Sequence, residues 1–318
     1  MIKPYLTYDQ QIYKLVENKE LIINDKEYAR RKLIEIGYFS LIGGYKNLFI
    51  NPMTRKYEND TTFEDVVALY EFDESLRQLT FSYLIKIEQK LRQLIAYSFC
   101  AQYGEQQIHY LTRDNYNLNP RLTGEIDRLI NTLDYHANRN TEKTYLTHQR
   151  TAYGNVPLWV TTKILTFGQL SKFYSVLQAR QQSDISKAYE FVTEGNLGKY
   201  FSILTLFRNV CAHNERLFSF KISQRRFPDS VIHHRMNIPQ RGNEYILGKN
   251  DYFGLVIAFR HLLPKEDFMM YKKELKRLLN AYFKKSRRLT KSFLFSKMGM
   301  PANWENIARY RLSKTTEQ

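Results

Sequence analysis

From residue 62 to residue 104 the chain reads TFEDVVALYEFDESLRQLTFSYLIKIEQKLRQLIAYSFCAQYG. Within it Val66, Leu69, Tyr70, Leu76, Leu79, Leu84, Ile87, Leu91, Leu94 and Ile95 recur as one apolar stripe with polar residues between, the signature of an amphipathic helix. Thr62 is placed to cap its start and Gly104 to end it. About forty residues of helix span about 60 Å at 1.5 Å per residue, which leaves room for a bend or break near Asp73 to Ser75.

Working outward, nearly every long segment repeats this helical period and almost none alternates strictly, so the fold class is all-α, mainly helical, with strands short if present. Upstream, Asn24 and Glu27 have capping-box spacing for a helix through Arg30 and Leu33 that stops at Gly37. Gly43-Gly44 breaks the chain again, and Pro52 with the polar run from Lys56 to Thr61 reads as a turn or linker. Downstream, helices are predicted over Arg121 to Asn138, Leu158 to Gln178, Ser183 to Val192 and Leu197 to about His213, giving a four- or five-helix bundle core.

Beyond Leu217 the composition shifts. Lys221 to Asn243 holds Arg225, Arg226, His233, His234, Arg235 and Arg241 with two prolines and little periodicity, and reads as a basic loop. A helix over Tyr252 to Leu263 follows, then a basic helical stretch from Tyr271 to Lys291 with nine Lys or Arg against the single acid Glu274. The chain thus divides into an N-terminal helical segment over 1–60, a helical-bundle core over 61–217, and a basic loop and helical C-terminal extension over 218–318, packed on the core.

The 318 residues, 43% of them hydrophobic, are enough for a substantial core. Lys and Arg outnumber Asp and Glu by 48 to 32, a net charge of +16 that favours polyanion partners through counterion release. The two cysteines, Cys100 and Cys211, have neither disulfide-framework nor zinc spacing. The longest apolar run, Phe253 to Phe259, is far shorter than a bilayer span, and the first residues carry no apolar signal core. A soluble cytoplasmic protein, with no membrane partner, is the expectation.

The most chemically pointed stretch is Arg208-Asn209-Val210-Cys211-Ala212-His213, near the end of an apolar helix. Arg neutralises phosphate with forked donors, and imidazole titrates near neutrality and moves protons to or from a ribose hydroxyl. Arg208 and His213 lie about 140° apart on an ideal helix, whereas Asn209 and His213, at i and i+4, share a face. Asn209 is therefore expected to orient the imidazole while the long Arg208 side chain reaches the same anion, unless the helix frays at His213. One chain offers one imidazole for roles commonly shared by two groups, so a symmetric dimer would complete the site.

Arg208 and His213, in this hexad and the extension to Leu217, resemble the Arg-Asn-x-x-x-His signature of HEPN-type ribonucleases. Nearly the whole chain is similar to the Abi-like (AbiD/AbiF-type) abortive-infection family. The resemblance is carried by Lys3-Pro4 with Leu6-Thr7-Tyr8, Gly37-Tyr38-Phe39 through Gly44-Tyr45, Thr62-Phe63-Glu64-Asp65 with Leu69 to Asp73 and Leu76-Arg77, Val156-Pro157-Leu158-Trp159 with Phe167-Gly168, and Met298 to Pro301 with Asn303-Trp304. It implies a HEPN-type helical bundle, phage-defence or toxin-like biology, a homodimeric endoribonuclease site without metal or cofactor, and in some relatives a structured small RNA that restrains the toxin. Many relatives carry an acid where this chain has Thr161-Thr162-Lys163, so an auxiliary acid is not expected there.

On this reading Arg208, Asn209 and His213 are the catalytic candidates. Glu88 and Arg92, at ion-pair spacing like Asp73 and Arg77, would either pair as ordinary helix charges or buttress Arg208. Arg225, Arg226, Arg235, Lys272, Lys273, Lys276, Arg277, Lys284, Lys285, Arg287 and Arg288 are candidate RNA contacts. Gly43-Gly44-Tyr45 lacks the spaced glycines and Lys of a phosphate loop and reads as a turn. A metal site at Cys211 and His213 fits no ligand pattern. Two other functions remain open at this level: a module that holds structured RNA without cutting it, and a helical scaffold that regulates another protein.

Overall fold

The computed structural model describes residues 4–286 and 288–312, and it is helical almost throughout. The α-helices are α1 (Tyr8–Tyr13), α2 (Lys26–Ile36), α3 (Phe63–Tyr103), α4 (Gln107–Leu111), α5 (Thr123–Asp134), α6 (Thr144–Tyr153) and α7 (Leu158–Thr161). They continue with α8 (Phe167–Val176), α9 (Ala179–Ser186), α10 (Glu194–Ala212), α11 (Val231–Arg235), α12 (Tyr252–Leu262), α13 (Lys265–Lys285) and α14 (Lys291–Met298). Two-residue strands β1 (Gln240–Arg241) and β2 (Glu244–Tyr245) pair antiparallel.

The helix α3 runs for 41 residues without interruption, so the break allowed near Asp73 to Ser75 does not occur. It contains no Gly or Pro, and Asp73, which would otherwise compete for nearby backbone donors, spends its oxygens on residues far away in the chain. Thr62 caps it as expected, and Asp65 completes a capping box by accepting from the Thr62 N–H. Gly104 ends it at φ +89°.

Other boundaries moved for local reasons. Asp25, not Asn24, caps α2, its carboxylate accepting from the Tyr28 N–H. The predicted helix over Leu158 to Gln178 is two helices, because Leu165 turns extended and Thr166 starts a new capping box with Gln169. The basic loop after Lys221 contains α11 and the first strand of the hairpin. The basic helix starts earlier than predicted, at Lys265 behind Pro264, and ends at Lys285, while Lys291 opens α14.

Around α3 pack α7, α8, α9 and α10 from the core region and α13 from the C-terminal third. The buried apolar side chains form one cluster from Ile12 to Leu312. Within it α12 is covered nearly all round, from Tyr252 to Leu262. No helix among the described residues is long and apolar enough to cross a membrane.

Candidate active site at the end of α10

The helix α10 ends at His213 through a specific hydrogen-bond pattern. The Glu215 N–H donates to the Val210 carbonyl at 3.0 Å and the Asn214 N–H to the Cys211 carbonyl at 3.4 Å, the two bonds of a Schellman motif. Asn214 occupies the left-handed position at φ +54°, which asparagine tolerates better than most residues other than glycine. His213 is therefore the C-cap residue, its N–H donating to the Asn209 carbonyl at 2.9 Å. The helix stops there by construction and does not fray.

What fixes this turn in space is α3. Asp73, fully buried, accepts from the Leu217 N–H at 3.0 Å, the Phe218 N–H at 2.8 Å, the Tyr45 hydroxyl at 2.7 Å and Arg77 Nη1 at 3.0 Å. Arg77, 3% exposed, also donates from Nη1 to the Glu215 carbonyl at 3.4 Å and lies 5.6 Å from the centre of the Tyr70 ring. Burial pushes the Asp73 carboxyl above its ordinary range, and the Arg77 cation and the donors just named pull against that push. Arg216 closes the other side by donating to the Gly44 carbonyl at 2.6 Å, and the Tyr45 ring stacks on Phe218. Gly43-Gly44-Tyr45 is not the turn expected from its glycines: Gly43 ends a π-helix over Phe39–Gly43 and Gly44 and Tyr45 continue helical, and this helical stretch holds the segment that follows His213.

Over this frame the three candidate side chains sit differently from one another. His213 and Asn209 are exposed, and neither makes a side-chain hydrogen bond among the described residues, so Asn209 does not orient the imidazole here. Arg208 is half buried, its guanidinium carbon 5.7 Å from the centre of the Phe81 ring of α3. It has no carboxylate partner among the described residues, and its buried Nε is unpaired. A guanidinium without a carboxylate partner, on the same helix end as an exposed imidazole, is chemically able to receive an anion such as a phosphodiester. Cys211 turns into the core, where burial pushes its thiol up to about 12, away from the reactive thiolate form.

Glu88 and Arg92 pair at 2.7 Å, but the remaining Arg92 donors go to the Thr162 carbonyl at 2.9 Å and the Leu165 carbonyl at 3.2 Å. Those carbonyls belong to the break between α7 and α8. The guanidinium that was a candidate buttress for Arg208 is committed to that break instead. Thr161 and Thr162, the segment without an acid, are fully buried beneath it.

The basic candidates divide by what they touch. Arg225 donates to the Ser202 hydroxyl at 2.6 Å, on α10 six residues before Arg208, while Arg226 folds back on carbonyls of its own loop. Arg235 donates to the Arg311 carbonyl. Lys272 and Lys276 are held by Glu305, Arg277 by Glu274 and Lys285 by Glu71. Lys273 and Lys284 are exposed on α13 with no protein partner among the described residues, and Arg288 is half buried with only its backbone N–H bonded, to Ser286. Arg287 and Lys3 lie outside the described residues.

The sequence offered Asp73 and Arg77 only as an ion-pair spacing and Tyr45 only as part of an expected turn that is in fact helical, and these are the groups that place the segment after His213. The signal available in sequence was that all three fall in the family-like stretches.

The family model described as Abi-like protein matches residues 31–219. The matched span ends one residue past Phe218, so it contains Tyr45, Asp73, Arg77 and the whole turn after His213. No curated protein matches the chain, and no solved structure does.

Proposed function

The chain belongs to the Abi-like family, whose membership suggests a role in abortive infection, and from that premise we propose that it is a metal-independent, HEPN-type endoribonuclease acting as a defence toxin. In the proposed reaction His213 takes the proton of a ribose 2′-hydroxyl, and the 2′-oxygen attacks the adjacent phosphorus. The bond from phosphorus to the 5′-oxygen breaks, and the leaving oxygen takes a proton from a second acid. Arg208 stabilises the charge that gathers on the phosphoryl oxygens. The products are a 2′,3′-cyclic phosphate and a 5′-hydroxyl. A second copy of the chain supplies the second imidazole, and a structured small RNA on the basic surface, including Lys273 and Lys284, restrains the toxin.

The observation that carries this reading is the Arg208 guanidinium, 5.7 Å from the Phe81 ring centre and with no carboxylate partner among the described residues, five positions before an exposed His213 whose turn is anchored in the core. Although Nε and Nη2 of Arg77 are also unpaired, Arg77 and Arg92 each hold a carboxylate and at least one backbone carbonyl. Arg208 does not.

The test compares wild type with His213→Ala and Arg208→Ala on labelled RNA in EDTA. Each substitution is expected to slow cleavage by about 10²–10⁴-fold, and wild-type products should carry cyclic phosphate ends. Undiminished cleavage by His213→Ala would overturn the assignment. Binding with a steep salt dependence but no cleavage by any form would favour a non-catalytic RNA-binding protein.

A further inference from the structure

A cavity of about 680 Å³ opens between the α9–α10 connection on one side and, on the other, the start of α11 and the end of α12. That volume suits a small organic ligand. Neither Arg208 nor His213 lines it, and its α11 and α12 wall, with Asp229, Ser230 and His261, falls beyond the family-matched residues 31–219.

The wall is acidic in a basic protein. It carries Glu190, Glu194 and Asp229 against Lys187 alone, in a chain where Lys and Arg outnumber Asp and Glu by 48 to 32. Lys187 is paired with Asp184 and Asp229 with Lys249, and with those partners included the carboxylates still outnumber the ammonium groups by four to two. The starts of α10 and α11 add partial positive charge, met by Glu194 and Asp229 beside them. Glu190 is exposed and forms no ion pair among the described residues. Arg260, whose charge Glu190 favours, gives Nη2 to the Tyr310 carbonyl and stands outside the wall.

The neutral groups of the wall are equally suited to a donor. Tyr200 is 2% exposed, and its hydroxyl meets no protein partner among the described residues without being sealed off, so it opens on the cavity. Burial, and after it the Asp229 carboxylate, push that hydroxyl above its ordinary range, so it stays protonated. Ser230 Oγ and His261 Nε2 share a hydrogen bond of 2.7 Å. Burial pushes the His261 imidazole down to about 4, with the Arg260 and His233 charges adding to the push, so it is neutral and does not repel a cation.

We propose that this cavity binds an aliphatic diamine or polyamine, whose ammonium groups donate to Glu190, Glu194 and the Tyr200 hydroxyl. An ammonium has three donors and no acceptor, which matches a wall of carboxylate and hydroxyl oxygens. A phosphate or a nucleotide would meet like charge instead. A single metal ion fits poorly, because no group of three His, Cys, Asp or Glu side chains among the described residues could hold one. Acceptors spread over a cavity suit a ligand with its charges spaced along a chain. The ligand would touch both the first turns of α10 and the C-terminal third, and so stabilise their contact. The site stands independently of the ribonuclease reading.

The experiment is calorimetric titration of the RNA-free full chain with putrescine, with spermidine and, as the opposite charge, with inorganic phosphate. Saturable amine binding at one site per chain is expected, together with a raised melting temperature. On a chain of +16 a polyamine has little reason to collect non-specifically, so saturation reports a built site. Glu190→Gln and Tyr200→Phe are each expected to weaken amine binding by about tenfold or more. Asp267→Asn on α13 removes one negative charge outside the cavity and is expected to leave binding unchanged. Melting of the unliganded variants confirms that each is folded. The proposal is overturned by an absence of saturable amine binding, by amine binding that both cavity variants retain, by an equal loss in the Asp267 variant, or by phosphate binding that Tyr200→Phe abolishes.

Discussion

Two ion pairs on α3 have the same spacing and chemistry, yet they do different work. Asp73 and Arg77, at i and i+4, are sealed in the core, and three of their hydrogen bonds reach the turn after His213, while Nε and Nη2 of Arg77 stay unpaired. Glu88 and Arg92, also at i and i+4, keep side chains 13% and 15% exposed and clasp the break between α7 and α8. The contrast lies in what each pair faces. A pair next to ordinary helix surface would be worth tenths of a kcal/mol, whereas one whose carboxylate also accepts two backbone N–H groups from another segment becomes a joint.

The sharpest way to break the comparison is Asp73→Ala. It leaves the Arg77 cation buried without a counter-charge and orphans the Leu217 and Phe218 N–H groups, and a loss of about 3–5 kcal/mol in urea unfolding is expected. Adding Arg77→Met should not restore stability as it would for a simple buried ion pair, because the two N–H groups stay unsatisfied. Full recovery in the double variant would reduce this joint to an ordinary pair. A smaller effect is expected from Tyr45→Phe, which removes one donor to Asp73 and should cost about 1.5–3 kcal/mol. Smallest is Glu88→Gln, where an amide oxygen can still accept from Arg92 and the carbonyl bonds of Arg92 persist. A loss of about 1 kcal/mol or less is expected by the same measurement. If Glu88→Gln cost as much as Asp73→Ala, the distinction drawn between the pairs would be wrong.

The long helix α3, its cap at Thr62 and its stop at Gly104 could be read from sequence because periodicity and capping are local. The end of α10 at His213 was legible for the same reason, although the left-handed role of Asn214 was not drawn from it. The break at Leu165 was missed because apolar residues continue on both sides, and its carbonyls are satisfied by Arg92, some 70 residues earlier. At the candidate site, spacing singled out Arg208, Asn209 and His213 for their chemistry but not the residues that hold the turn after them. Asn209 shares a face with the imidazole without bonding to it, and the residues that matter for the turn, Asp73 and Tyr45, are separated from it by the length of a small domain. Periodicity carries no information about such partners.

The reach of Asp73 to Leu217 also sets an order of assembly. The two residues are 144 apart in the chain, so their hydrogen bond closes a long loop, and contacts of such separation form late compared with helical turns. During synthesis from the amino terminus, α3 is complete while the segment that it anchors is still unmade. A growing chain therefore acquires the hexad, and the turn after it, well after it acquires the rod on which both are hung.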